Sequence, residues 1–188
     1  MEYKKGLDED SMKLTIRKMA NIAVFTALIA VFSQISIPIG PVPINLALLA
    51  VFAAGGMLSV VEAVVAVLLF LGLGAAGLPV FAGFNAGLWA LAGPTGGYLV
   101  GYLLAAFLAG ILCKERRSFW RYAAGMLLGL AACYTLGTAW FVISTKAEIW
   151  YALGVCVFPF LPGDAVKIAL AAFLSLQVRN ALAYRAQE

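Results

Sequence analysis

The chain has 188 residues, of which 64% are hydrophobic and only 12% charged, with a formal net charge of +4. This composition excludes an ordinary soluble domain, because too few polar side chains remain to cover a water-exposed surface, and it predicts an integral membrane protein. The basic residues form short clusters between apolar runs, a pattern that indicates membrane orientation rather than nucleic-acid binding. There is no histidine, and the three cysteines have no paired spacing, so no metal site or disulfide is expected.

Six apolar runs follow one another along the chain, at residues 12–36, 44–58, 60–73, 98–113, 119–143 and 163–182. The second and third are short against the roughly 20 residues that a membrane span needs. They could form a re-entrant hairpin, but two spans extended at their ends are favoured. The predicted fold is an all-α integral membrane protein with a six-helix membrane domain at 12–182. Residues 1–11 and 183–188 would be cytoplasmic tails.

The positive charges predict the orientation of the spans. In a six-span topology, eleven of the thirteen Lys and Arg residues fall on one side, which the positive-inside rule identifies as the cytoplasm. Both termini are therefore expected inside the cell. Three irregular stretches rich in Pro and Gly then lie on the outer side, at 38–43, 79–97 and 159–163. The eleven residues are Lys4, Lys5, Lys13, Arg17, Lys18, Lys114, Arg116, Arg117, Arg121, Arg179 and Arg185.

Residues 72–97 are apolar but dense in glycine. They cannot form a helix throughout, since each interior glycine costs about 1 kcal/mol and each proline about 3 kcal/mol. Non-helical backbone at membrane depth is tolerated where protein buries it or where it lines a cavity, so a structured outer loop folding back over the bundle is predicted. Asn85 is its single amide and is either a turn residue or a ligand contact. Phe81 and Trp89 are either membrane-interface aromatics or walls for an apolar ligand.

Asp164 and Lys167 stand between two apolar stretches. Pro162 and Gly163 break the backbone, so Asp164 is expected as an N-cap or first-turn residue, with Lys167 on the same helix face. An ionisable group at mid-membrane costs about 2.5–3.5 kcal/mol on insertion scales. The pair is either a helix cap with an internal ion pair or the polar floor of a small-ligand site.

No catalytic set emerges, because no Ser–His, Cys–His or paired-carboxylate motif can be assembled. The chain is therefore predicted not to be an enzyme and to have no cofactor of its own. It also lacks a nucleotide-binding motif, so energy for any transport must come from elsewhere. In the first run, Ala23 and Ala27 are four residues apart. This spacing allows close helix approach, either within the protein or against a partner.

Four motifs together resemble the BioY family, the biotin-specific substrate-binding (S) components of energy-coupling factor (ECF) transporters. They lie at 35–43, 77–83, 93–98 and 161–167, in the order and spacing of that family. The resemblance implies six transmembrane helices in the cell membrane of a prokaryote and capture of biotin from outside. It also implies as partners a transmembrane coupling protein and two ATPase subunits that use ATP.

The resemblance further implies that Asn85, Asp164 and Lys167 contact biotin and that Ala23 and Ala27 dock on the coupling protein. Biotin has a ureido ring, an apolar thioether ring and a carboxylate tail. Asp164 can accept from a ureido N–H, while Asn85 and Lys167 can donate to the ureido oxygen or the carboxylate. The apolar ring would lie near the side chains of Phe81 and Tyr98.

The first outer loop departs from the family. Asn45 and Ala47 stand where many relatives carry Thr and Gln, so affinity or specificity could differ. Two alternatives therefore stay open: an S component for another vitamin, and a stand-alone channel or carrier.

Overall fold

The computed structural model describes residues 2–38, 41–113 and 118–185, with side chains from 15 to 181 within those ranges. The predicted basic cluster at Lys114, Arg116 and Arg117 and the end of the predicted C-terminal tail lie outside the described residues. The described chain is mostly helical. Its elements are α1 (Glu2–Gln34), β1 (Ser36–Ile37), β2 (Ile44–Asn45), α2 (Ala47–Met57), α3 (Val60–Ala75), a 3₁₀ turn (Ala82–Phe84), α4 (Leu88–Ala92), α5 (Gly96–Cys113), α6 (Phe119–Thr145), α7 (Ile149–Cys156) and α8 (Leu161–Arg185).

Within the described residues, four segments are long and apolar enough to cross a membrane, and they lie in α1, α5, α6 and α8. The expectation of a helical, multi-pass membrane protein is thereby confirmed. Helices α2 and α3 are apolar but only 11 and 16 residues long. At 1.5 Å per residue, α2 rises about 17 Å against a hydrocarbon core of about 30 Å. The count of six spans therefore stays a prediction.

Helix bounds differ from the predicted runs by three residues or fewer, except at the start of α1. Helix α1 begins at Glu2, so helical backbone extends through the segment expected as an N-terminal tail. Helix α8 begins at Leu161, with Pro162 and Gly163 inside its first turn rather than before it. Proline is tolerated there because the first N–H groups of a helix have no intrahelical partner. Asp164 is consequently a first-turn residue, as predicted, and not the N-cap.

Small residues set the distance between the central helices. Helix α5 packs along α6, and a Cβ added to Gly129 would come within 2.9 Å of the carbonyl oxygen of Ala105. Helix α2 packs against α5 and α8 and buries Val51 and Phe52 completely. Helix α1 lies at the edge, against α2 and α3, with only 11% of its span buried.

The segment between α3 and α5 contains the 3₁₀ turn, α4 and three glycines with positive φ, and so is not a continuous helix. Gly87 donates its backbone N–H to the carbonyl of Gly74 at 2.7 Å, which ties the segment to α3. The ring of Phe81 is 2% exposed and packs edge-on against Phe70. It also lies where a Cβ on Gly74 would be. The location of this segment on the outer side stays a prediction.

Replacing Gly129 with Ala is expected to lower the free energy of unfolding by about 1–3 kcal/mol, since the new methyl group would force α5 and α6 apart. Gly72→Ala in α3 is the matched control, because its Cβ would meet nothing within 4 Å. The control is expected to be neutral or to stabilise by up to about 1 kcal/mol. Unfolding in detergent measures both, and equal stability of the two variants would contradict the close α5–α6 contact.

Candidate ligand-binding site

A cavity of about 320 Å³ lies beneath the segment between α3 and α5, bounded also by α2, α5, α6, α7 and α8. Its volume is at the lower end of the range for small-molecule sites. The structure brings together in its lining all five residues predicted to contact a ligand. These are Phe81, Asn85, Tyr98, Asp164 and Lys167.

Asp164 and Lys167 form a buried ion pair on the first two turns of α8. The Nζ of Lys167 lies 2.7 Å from Oδ1 of Asp164, and the two residues are 6% and 2% exposed. Tyr134, on α6, donates its hydroxyl to Oδ2 of the same carboxylate at 2.5 Å. Both oxygens of Asp164 are therefore hydrogen-bonded, which offsets the cost of burying a carboxylate in the protein interior. The two interpretations of the pair are compatible, because it is an internal ion pair and also lines the cavity.

The hydroxyl of Tyr98 is hydrogen-bonded within the helix bundle. It lies 2.8 Å from the hydroxyl of Thr138 on α6, and both groups are buried. The ring lies where a Cβ on Gly137 would be, so the tyrosine fits closely against α6. What Tyr98 presents to the cavity is therefore mainly its aromatic body. Helix α6 thus makes hydrogen bonds to α5 through Thr138 and to α8 through Tyr134.

Asn85 is both a turn residue and a cavity residue. Its Nδ2 donates to the carbonyl of Ala82 at 2.8 Å, and its backbone carbonyl accepts from Phe81 N–H at 3.1 Å. The side chain is exposed and lines the cavity. One amide hydrogen thus closes the turn, and the other hydrogen and Oδ1 can serve a ligand.

Two further polar residues, Asn45 on β2 and Tyr102 on α5, line the cavity. Oδ1 of Asn45 accepts from the hydroxyl of Tyr102 at 3.4 Å and from the backbone N–H of Ala47 at 3.0 Å. Ala47 is completely buried and does not line the cavity. Of the two positions that differ from the usual family residues, Asn45 is therefore the one that lines the cavity. Tyr102 was missed, although it follows Tyr98 by four residues and so shares its helix face.

Cys156 also lines the cavity, from the end of α7. Burial raises the pKa of its thiol, which keeps the group uncharged. The three cysteines are free and buried, where a thiol packs as a small hydrophobic group.

Ala23 and Ala27 lie apart from the cavity, on α1. Both are exposed, so internal packing does not account for their spacing.

Comparison with known proteins decides the family. The family model that matches is the BioY family, and the match covers residues 7–184. The chain belongs to the BioY family. This membership confirms the resemblance derived from the four motifs, and it places the chain among transporter components rather than enzymes, as predicted.

Individual relatives agree with this assignment. A biotin transporter of Thermotoga maritima is 41% identical over 166 residues, covering 88% of this chain and 97% of the relative. A probable biotin transporter of Pyrococcus horikoshii is 39% identical, covering 87% and 97%. Among solved structures, the S-component for biotin from an ECF-type ABC transporter superposes with a TM-score of 0.84 at 29% identity, covering 89% of this chain and 93% of that one.

Replacing Lys167 with Met is expected to lower the free energy of unfolding by about 3–5 kcal/mol, because Asp164 would keep a buried charge without its counter-ion. Removing both charges, in Asp164→Asn/Lys167→Met, is expected to recover most of that loss. Lys146→Met, at an exposed lysine, is the control and should change stability by less than about 0.5 kcal/mol. Unfolding in detergent without ligand measures all three. A double variant less stable than Lys167→Met would contradict the mutual neutralisation.

Proposed function

We propose that the chain is the S component that captures biotin from outside the cell and delivers it inward with an ATP-driven energy-coupling module. The observation that carries this proposal is the cavity, whose mainly apolar lining includes the buried Asp164–Lys167 pair and the side-chain amide of Asn85. Relatives described as biotin transporters, over most of the chain's length, support the choice of ligand.

The donors and acceptors of the cavity suit a ureido ring. A carboxylate offers about four acceptor positions, and Lys167 and Tyr134 occupy two at Asp164, which leaves capacity for a ureido N–H. The ammonium of Lys167 has three donors and uses one on Asp164. Asn85 would supply a further donor, and the faces of Phe81 and Tyr98 would contact the apolar ring. This combination of apolar walls and a few placed polar groups is typical of small-molecule sites.

Contacts at the other end of the bundle support a six-span topology. Arg179 donates to the backbone carbonyls of Cys113 and Leu58 at 3.0 and 3.4 Å, so the C-terminal ends of α2 and α5 lie side by side. A cation is favourable at helix C-termini, and basic residues favour the cytoplasmic side. Helix α2 therefore begins at the cavity and ends beside Arg179, at the opposite end of the bundle. Helix α3 runs back in the other direction and ends next to the segment between α3 and α5, to which Gly74 is hydrogen-bonded. Both short helices then count as spans in a prokaryotic cell membrane, with both termini cytoplasmic.

Docking to the transmembrane coupling protein is assigned to α1. This helix lies at the edge of the bundle, and Ala23 and Ala27 are exposed there four residues apart. Small residues in this spacing let another helix approach closely within a membrane. Two ATPase subunits bound to the coupling protein would then supply the energy.

Equilibrium binding to the purified protein tests the ligand. Labelled biotin should bind in a one-to-one ratio, and neither thiamin nor riboflavin should displace it. Displacement by either vitamin would indicate an S component for that vitamin, an alternative favoured by the amide of Asn45 in the cavity lining. A folded protein that binds none of them would contradict the proposal.

Asp164→Asn is expected to weaken biotin binding by at least about 1–3 kcal/mol, since a buried polar partner is lost. Glu62→Gln is the matched control. Glu62 caps α3 through Ser59, away from the cavity, and glutamine also serves in such a cap. Binding titrations measure both variants. An Asp164→Asn variant that binds as the unchanged protein does would remove Asp164 from the site.

Ala23→Leu/Ala27→Leu is expected to reduce biotin uptake into cells by about tenfold or more while leaving biotin binding unchanged, because bulky side chains would block close docking. The control is Ala124→Leu/Ala131→Leu, which adds the same bulk at exposed positions of α6. Uptake that equals the control would contradict docking at this face. Uptake that persists without the ATPase subunits would favour a stand-alone carrier.

A further inference from the structure

Gln34 is the last residue of α1 and makes three hydrogen bonds to the segment between α3 and α5. Its Nε2 donates to the carbonyls of Pro79 and Phe81 at 3.3 and 3.1 Å. Its Oε1 accepts from the backbone N–H of Phe84 at 3.0 Å. The amide nitrogen of Gln34 thus binds backbone carbonyls that precede the 3₁₀ turn, and its amide oxygen binds a backbone N–H within the turn. In the part of the chain that the structure describes, these are the hydrogen bonds that join α1 to this turn.

The segment that Gln34 holds forms one wall of the cavity. Phe81, Ala82 and Asn85 line the cavity, and Asn85 is attached to the same turn through Phe81 N–H and the carbonyl of Ala82. Phe84 adopts φ 58, which is uncommon for a residue with a side chain. A backbone conformation of this kind persists where its surroundings fix it, and the bond from Phe84 N–H to Gln34 contributes to that constraint.

We propose that Gln34 is a positioning residue of the binding site, whose amide holds residues 79–85 in the conformation that presents Asn85 to the ligand. A side chain in this role needs donor and acceptor groups together, which an amide supplies and an apolar or carboxylate side chain does not. The identity of the ligand rests on the proposed biotin function. The attachment of the loop does not.

Hydrogen exchange in the protein without ligand tests the attachment. Gln34→Met removes all three hydrogen bonds at similar length, and the amide of Phe84 is expected to exchange about tenfold faster. Gln177→Met makes the same change at an exposed position of α8 and should leave exchange at residues 79–86 unchanged. Unaltered exchange in Gln34→Met would overturn the proposal. If that variant does not fold, Gln34→Asn, which keeps the amide but is one methylene shorter, gives the same comparison.

Biotin dissociation tests the positioning role. Gln34→Met is expected to raise the dissociation rate by about tenfold, and Gln177→Met should not change it. In an Asn85→Ala background, Gln34→Met should add little, because the group that it positions is already gone. An equal effect in both backgrounds would overturn the role of Asn85 as the group positioned.

The two proposals fail separately. If the unchanged protein binds no biotin, the proposed function fails, while the exchange of Phe84 still decides whether Gln34 holds the loop. If biotin binds and Gln34→Met retains the exchange and dissociation rates of the unchanged protein, only the Gln34 proposal fails.

Discussion

A buried pair of opposite charges is the interaction around which the cavity is built. Burying Asp164 and Lys167 among apolar helices removes two ions from water, and that cost is offset by their mutual attraction and by further hydrogen bonds. Tyr134 supplies one such bond from α6, so the pair also joins two helices. Its position in the first two turns of α8 places hydrogen-bond acceptors and donors in the lining of a small cavity.

Close packing of small residues makes room for that arrangement. Gly137 admits the ring of Tyr98 against α6, and Gly74 admits the ring of Phe81 against α3. The two aromatic rings therefore form walls of the cavity. At the same time α5 packs closely on α6, and the segment between α3 and α5 packs closely on α3, as is typical of protein interiors. At the opposite end, Arg179 joins α8 to the ends of α2 and α5. The cavity and this basic contact thus occupy different ends of the bundle.

Much of the site could be predicted from the sequence because charged and amide residues in apolar surroundings are conspicuous. Asp164, Lys167 and Asn85 were found in this way, and the cavity contains all three. Tyr102 was missed because a tyrosine within an apolar run looks like an ordinary span residue. Gln34 was missed because its partners are backbone groups far along the chain, which no local pattern indicates. The start of α8 was placed two residues late, since a proline within the first turn looks like a break.

A structure with biotin bound tests the central claim most directly. The account predicts the bicyclic ring in the cavity between Phe81 and Tyr98, with ureido atoms at hydrogen-bond distance from Asp164 or Lys167 and with the ion pair between these residues retained. Biotin bound elsewhere on the protein, or bound with no polar contact to the pair, would contradict the account. The ion pair would then have only a structural role, which is to join α6 and α8 through Tyr134.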